Sequence, residues 1–149
     1  MPQDETSKIS LVKIRTDRQH PGMELYFAVA IDPTAKGRPR FTKSGHAFTP
    51  AKTRAFEAEF SLRASKFKPK KPLEGPLHVE VGFAVKPPKK RKHPTYPIVK
   101  PDLDNYFKAI GDALNGIFWL DDSQIVSVKL TKYYAMDLNP RISVTIREL

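Results

Sequence analysis

Asp102 and Asp104 lie two residues apart where a proline-rich stretch gives way to an apolar-periodic one, and Lys108 follows Asp104 by one helical turn. Two carboxylates and an ammonium at that spacing can address one small ligand. Asp121 and Asp122 come after Phe118-Trp119-Leu120 and before the next strand-like run, so the chain can return one of them toward the first pair. Magnesium takes oxygen ligands, usually one or two carboxylates plus waters and substrate phosphate. If three carboxylates converge, such an ion could polarise a phosphate oxygen, lower the pKa of a bound water and orient an in-line displacement, which is phosphodiester hydrolysis. Lys108 would then act where negative charge grows in the transition state, or protonate the departing oxygen.

The same spacing admits a plainer reading. Asp104 can cap a helix, Asp102 can favour its dipole, Lys108 can be the i+4 partner of Asp104, and Asp121-Asp122-Ser123 can be a turn. Spacing alone leaves both readings open. Asp112 is two turns beyond Asp104, too far along the helix for the same metal shell, and takes a surface or structural role. His20, His46, His78 and His93 are scattered and form no metal motif. Phe118 and Trp119, between a helix and a strand, are expected in the core rather than stacked on bases.

Charge supplies the second strand of the argument. Lysine and arginine number 26 against 16 acids, a net charge of +10, which suits a polyanionic partner. Lys36, Arg38, Arg40 and Lys43 crowd one acid-free stretch; Lys86, Lys89, Lys90, Arg91, Lys92 and Lys100 crowd another. Clustered carboxylates directly after the second run would weaken simple phosphate binding, so their position needs a reason such as a cation. The basic residues fit non-specific contact with a phosphate backbone, there being no base-reading motif.

Other classes fall away. With no cysteine among 149 residues, a disulfide framework, a thiolate zinc site and a cysteine nucleophile are all excluded. No apolar run is long enough to span a bilayer and the N-terminus has no signal-peptide core, so a cytoplasmic protein without a membrane partner is expected. The length allows one domain. Residues 1–22 show no sustained periodicity and read as an N-terminal extension, either an extra strand or a mobile arm, leaving 23–149 as the domain.

Within it, Leu25–Ile31 reads as a buried strand stopped by Asp32-Pro33, and 36–50 as a basic hairpin around Ser44-Gly45 with Lys43 and His46 at its tip. Thr49-Pro50 predicts a helix start, and Phe56, Phe60, Ala64 and Phe67 repeat at helical spacing until Pro69. Leu77–Val85 alternates strictly, a half-buried strand. Lys86–Pro101 reads as an exposed cationic loop. Leu103, Phe107, Ile110 and Leu114 give the next helix one apolar face, with Asp104 as N-cap and Gly116 ending it. Gln124–Tyr134 and Arg141–Arg147 read as a terminal hairpin turning at Asp137 and Asn139-Pro140. The resulting expectation is an α+β single domain, a mixed β-sheet with two main helices packed on it, in the order β-β(hairpin)-α-β-α-β-β.

Pro101–Val126, PDLDNYFKAIGDALNGIFWLDDSQIV, resembles the signature of the RusA family of phage-type Holliday junction resolvases, and Lys36–Pro50, KGRPRFTKSGHAFTP, resembles the family's N-terminal region. The core D-L-D-N-x-x-K, followed by D-A-L and W-x-D-D, is long and specific, and the chain from about Leu25 onward follows the family in order. The resemblance implies a magnesium-dependent endodeoxyribonuclease, with manganese able to substitute and no small-molecule cofactor. It implies that Asp102, Asp104 and Asp122 bind metal and that Lys108 is catalytic, while Asp121 matches a neighbouring acid of unassigned role. It further implies a homodimer making paired symmetric nicks in four-way junction DNA during recombination and repair. The DNA would be gripped by Lys36, Arg38, Arg40, Lys43, Lys89, Lys90, Arg91, Lys92 and Lys100. The chain departs from the family in its N-terminal extension and its long proline-rich basic loop, which leave the catalytic set intact. Two alternatives remain: a non-catalytic nucleic-acid-binding module, and a nuclease for flaps, forks or duplex.

Overall fold

The computed structural model describes residues 10–14, 23–37 and 40–149. Seven strands and two α-helices follow in the order β1 (Ser10–Ile14), β2 (Met23–Val29), β3 (Arg40–Phe41), β4 (Ala47–Phe48), α1 (Ala51–Ala64), β5 (Leu77–Val85), α2 (Leu103–Leu114), β6 (Ile125–Tyr134) and β7 (Arg141–Glu148). The architecture is the α+β arrangement expected, with a mixed sheet. Of the N-terminal extension, Ser10–Ile14 pairs antiparallel with β2, the extra-strand alternative; residues 1–9 and 15–22 lie outside the described residues.

Five strands form one sheet in the order β1-β2-β7-β5-β6, and β3 and β4 form a separate two-stranded ribbon. Strict alternation puts Val79, Val81 and Phe83 of β5 and Ile142, Val144 and Ile146 of β7 on one face, where all are buried. Phe56, Phe60 and Ala64 of α1 and Ala109, Ile110 and Leu114 of α2 complete that core. The opposite face is polar, with His78 ring nitrogens 2.8 Å from Ser127 Oγ and 3.0 Å from Glu80 Oε2.

The last two strands are not a hairpin. β5 lies between them, parallel to β6 and antiparallel to β7. The turn after β6 passes over the end of β5, where Ala135 N donates to Val85 O over 2.7 Å, and delivers β7 to the far side. β7, buried at every second residue, acquires a strand on each flank in this way, whereas the more exposed and lysine-bearing β6 takes the edge. The parallel β5–β6 pair then requires a crossover, and the basic loop with α2 is that crossover.

Two helix starts also differ from expectation. Pro50, not Thr49, is the N-cap residue of α1. Asp102, not Asp104, is that of α2, and Asp104 stands in the first turn. Helix α1 tightens into a 3₁₀ turn over Ser65–Phe67 before the extended Lys68, as the following proline demands. Gly116, at φ +80°, ends α2 in the left-handed region.

Candidate active site

One face of α2 presents Asp104, Lys108, Gly111 and Asp112, a spacing of roughly one and two turns that keeps them in line. Opposite them stand Asp122, from the 3₁₀ turn before β6, and the apolar side chains of Ile125, Val128 and Leu130. The cavity between them holds about 490 Å³. Asp104 and Asp122, two acids singled out from sequence, thus share a cavity with Lys108. Asp102 is exposed at the helix entrance and does not line it.

The cavity is elongated. Asp122 meets α2 at Gly111, where a Cβ would come within 3.8 Å of both carboxylate oxygens. Seven residues separate Gly111 from Asp104, about 10 Å along the axis at 1.5 Å per residue. Accordingly, among the described residues no three acidic or imidazole groups gather closely enough to cage an ion. Asp102, Asp104 and Asp122 are not drawn into one shell.

The acids of the W-x-D-D segment divide their work. Asp121 caps the 3₁₀ turn: its carboxylate accepts from the Gln124 backbone and from Ser123 Oγ at 2.7 Å, while Gln124 Oε1 accepts from Asp121 N at 2.8 Å. This reciprocal capping box leaves Asp122 to face the cavity. Gln124 Nε2 ties the turn to the chain before β5 by donating to Leu73 O and Gly75 O at 2.8 and 3.0 Å. Trp119, fully buried with Phe118 as its position in sequence suggested, donates its indole N–H to Asp122 Oδ1 over 2.7 Å. Burial pushes the Asp122 carboxyl above its ordinary pKa; the charges of Asp112 and Asp121 add to this, and Trp119 and Lys108 only partly offset it.

Asp104 is neither cap nor partner of Lys108, for its carboxylate makes no ion pair or hydrogen bond among the described residues. The set fits a hydrated divalent cation rather than a closed cage. Such an ion needs one or two carboxylates and keeps its waters, and a desolvated carboxyl crowded by other acids gains most from a cation.

Asp112 and Lys36 are the surprises. Lys36 Nζ lies 2.8 Å from Glu57 and 2.9 Å from Asp112, joining α1 to the cavity wall, and its backbone N–H donates to Asn105 O. Burial works against this ammonium, yet the hydrogen bonds and charges of Glu57 and Asp112 outweigh it and hold the pKa above the ordinary lysine value. A residue grouped with the DNA-facing cations is thus engaged inside the fold. Its two partners lie far along the chain, so no local signal could have revealed them.

Of the remaining cations, Lys43, Lys89, Lys90, Lys92 and Lys100 are exposed. Arg91 lies over the Tyr134 ring, 5.9 Å from its centroid, and donates to Met136 Sδ. Arg38 lies outside the described residues, and only the backbone of Arg40 is described. The loop bearing the second basic run has no regular structure but is pinned. Tyr134 N donates to Thr95 O, His93 Nδ1 accepts from Thr95 N and Tyr96 N, and Lys132 Nζ donates to Val99 O and Pro101 O at 2.8 and 3.0 Å. Lys132 therefore fixes the backbone directly before Asp102, a role invisible in a strand of alternating residues.

The family model described as endodeoxyribonuclease RusA matches residues 30–147, from just after β2 to the penultimate residue of β7. The chain is also 37% identical over 137 residues to the uncharacterized protein YqaN of Bacillus subtilis (strain 168), covering 83% of this chain and 95% of that one. The match spans both helices, the basic loop and every cavity residue, and the chain belongs to the RusA endodeoxyribonuclease family.

Proposed function

We propose that this protein is a magnesium-dependent endodeoxyribonuclease that resolves four-way junction DNA, acting in the cytoplasm as a homodimer whose two sites nick opposed strands during recombination and repair. The observation that carries the reading is one cavity lined by Asp104 and Lys108 on α2 and by Asp122 opposite the helix, all three of the family's motif, beside a pinned cationic loop. No helix among the described residues is long and apolar enough to cross a membrane.

The chain's own groups divide the reaction. Asp122 and Asp104, toward the two ends of the cavity, would hold the ion, magnesium or manganese, largely through its waters, and Asp102 stands at the entrance of α2 to bind it through water or once DNA is present. When bound, the ion supplies Lewis-acid polarisation of the phosphate and a more acidic water. Trp119 fixes one oxygen of Asp122, so the carboxylate does not reorganise as charge develops. Lys108, near Asp122 and one turn from Asp104, stabilises the growing negative charge or gives a proton to the departing oxygen. Lys43, Lys89, Lys90, Lys92 and Lys100 hold the phosphates of the arms without reading sequence. A two-fold dimer suits a two-fold branched substrate.

The test is cleavage of a labelled immobile four-way junction beside matched duplex and flap DNA, with magnesium, manganese or EDTA, and with Asp104→Asn as control. Metal-dependent paired nicks in the junction alone, lost in the variant, are expected. Equal cutting of flaps would reassign the substrate, and binding without cleavage under every metal would make the protein an architectural module.

A further inference from the structure

The ribbon of β3 and β4 carries side chains that its own folding does not need. Its turn is specified by polar groups. Gly45 N donates to Thr42 O over 2.9 Å, Thr42 N to His46 O over 2.8 Å, and His46 N to Thr42 Oγ1 over 3.1 Å. Gly45 takes φ +87°, a conformation that favours glycine. Yet Phe41 is 70% exposed and Phe48 42%, and neither ring belongs to the buried core. Phe41 pairs across the ribbon with Ala47, so the residue directly opposite it offers only a methyl group to cover the ring. Phe48, the next residue after Ala47, belongs to the other face.

The root of this ribbon is fixed beside the candidate site. Lys36 N donates to Asn105 O in the first turn of α2, and Gly37 N to Thr53 Oγ1, both over 3.0 Å. A Cβ at Gly37 would stand 2.9 Å from that hydroxyl, so the approach needs glycine. Three residue steps from Gly37 to Arg40 reach at most about 11 Å. The ribbon therefore starts within that distance of a root bonded to the residue after Asp104.

We propose that Phe41 is a stacking platform for an unpaired base of the DNA substrate, flanked by Lys43 and His46 at the ribbon tip as phosphate contacts. This rests on the DNA-cleaving reading above and deepens it. Phosphate binding alone calls for cations and gives an exposed ring nothing to do. A partner that is both anionic and flat explains ring and charges together, in a chain whose net charge is +10. Bases inside a duplex hide their faces against one another; at a branch, gap or single strand they are open to an aromatic ring. The ribbon would select substrates with unstacked bases close to where Asp104 stands.

The experiment uses the full chain carrying Asp104→Asn, which is expected to bind without cutting, on a duplex with a short thymidine gap and on the same duplex fully paired. Added Phe41→Ala should weaken gapped-DNA binding about tenfold and leave paired-duplex binding within a factor of about two. The salt slope should not change, because every cation that meets a phosphate is still in place. Phe41→Trp should restore the affinity, and its new indole should be quenched by gapped DNA, distinguishable from the buried Trp119. Equal weakening on both DNAs, no weakening on either, or loss of self-association in place of base selectivity would each overturn the proposal while leaving the nuclease reading intact. Failure of the protein with an intact ribbon to bind any DNA would instead overturn the functional reading and this inference with it.

Discussion

Trp119 Nε1 donates to Asp122 Oδ1 over 2.7 Å from a fully buried indole, so a core residue sets the direction of a cavity carboxylate. Oδ2 is left without a hydrogen bond among the described residues and free to serve a ligand. Trp119→Phe keeps an aromatic ring in the core but removes the donor. Junction cleavage under single turnover should fall by about 10- to 100-fold, the usual effect of losing a partner that orients a metal ligand. Junction affinity should hold, and a magnesium titration should show a higher requirement.

The role proposed for Asp122 sets stability against function. Desolvation raises its pKa in the fold above that of the unfolded chain, so the folded state binds the proton more tightly. Stability from this group is greatest at acidic pH and is lost as pH rises through the folded value. Asp122→Asn retains an acceptor for Trp119 without the charge. Its melting temperature should exceed that of the native protein at neutral pH by on the order of 3 °C, and the gap should close as pH falls through the carboxylate range. Cleavage should be lost at every pH. A melting temperature lowered by Asp122→Asn at neutral pH would contradict this.

Lys36 and the loop lysines should separate cleanly. Lys36→Met leaves Glu57 and Asp112 facing each other without their shared cation and should destabilise the fold by about 2 kcal/mol, read by urea unfolding, with the salt dependence of DNA binding unchanged. Lys89, Lys90 and Lys92, all replaced by Ala, should leave stability alone. They should weaken DNA binding and flatten the slope of log affinity against log salt by about 0.9 for each phosphate no longer neutralised.

Lys132→Met removes the donor to Val99 O and Pro101 O. The loop's lysines and Arg91 should become faster targets for trypsin, and cleavage should fall more than junction binding, because the entrance to α2 is loosened while the cationic surface stays. Unchanged proteolysis would show that the clamp is dispensable.

The legible parts of this fold were those encoded in local periodicity. Strand β5 could be read to its ends because a half-buried strand alternates strictly, and the apolar stripe of α2 was equally plain. The pairing of β6 and β7 was not. A turn at Asp137–Pro140 looks the same whether the next strand folds back beside its neighbour or steps over β5, and only the burial of β7 on both flanks decides. Helical rise puts Asp112 too far from Asp104 for one metal shell, but the cavity runs along the helix and reaches it. Lys36 looked like its cationic neighbours because Glu57 and Asp112 are brought to it by tertiary packing.

Because α2 spans the gap between Asp104 and the turn bearing Asp122, its length acts as a ruler for the site. One residue added between Asp104 and Gly111 would turn everything beyond it by about 100° and displace it by about 1.5 Å, breaking the alignment even if every functional side chain were kept. The loop before it obeys the opposite rule: between Val85 and the Lys132 clamp it can change length with little entropic cost. Drift among relatives should therefore accumulate in the cationic segment proposed to hold DNA, while the helix that spaces the carboxylates keeps its residue count.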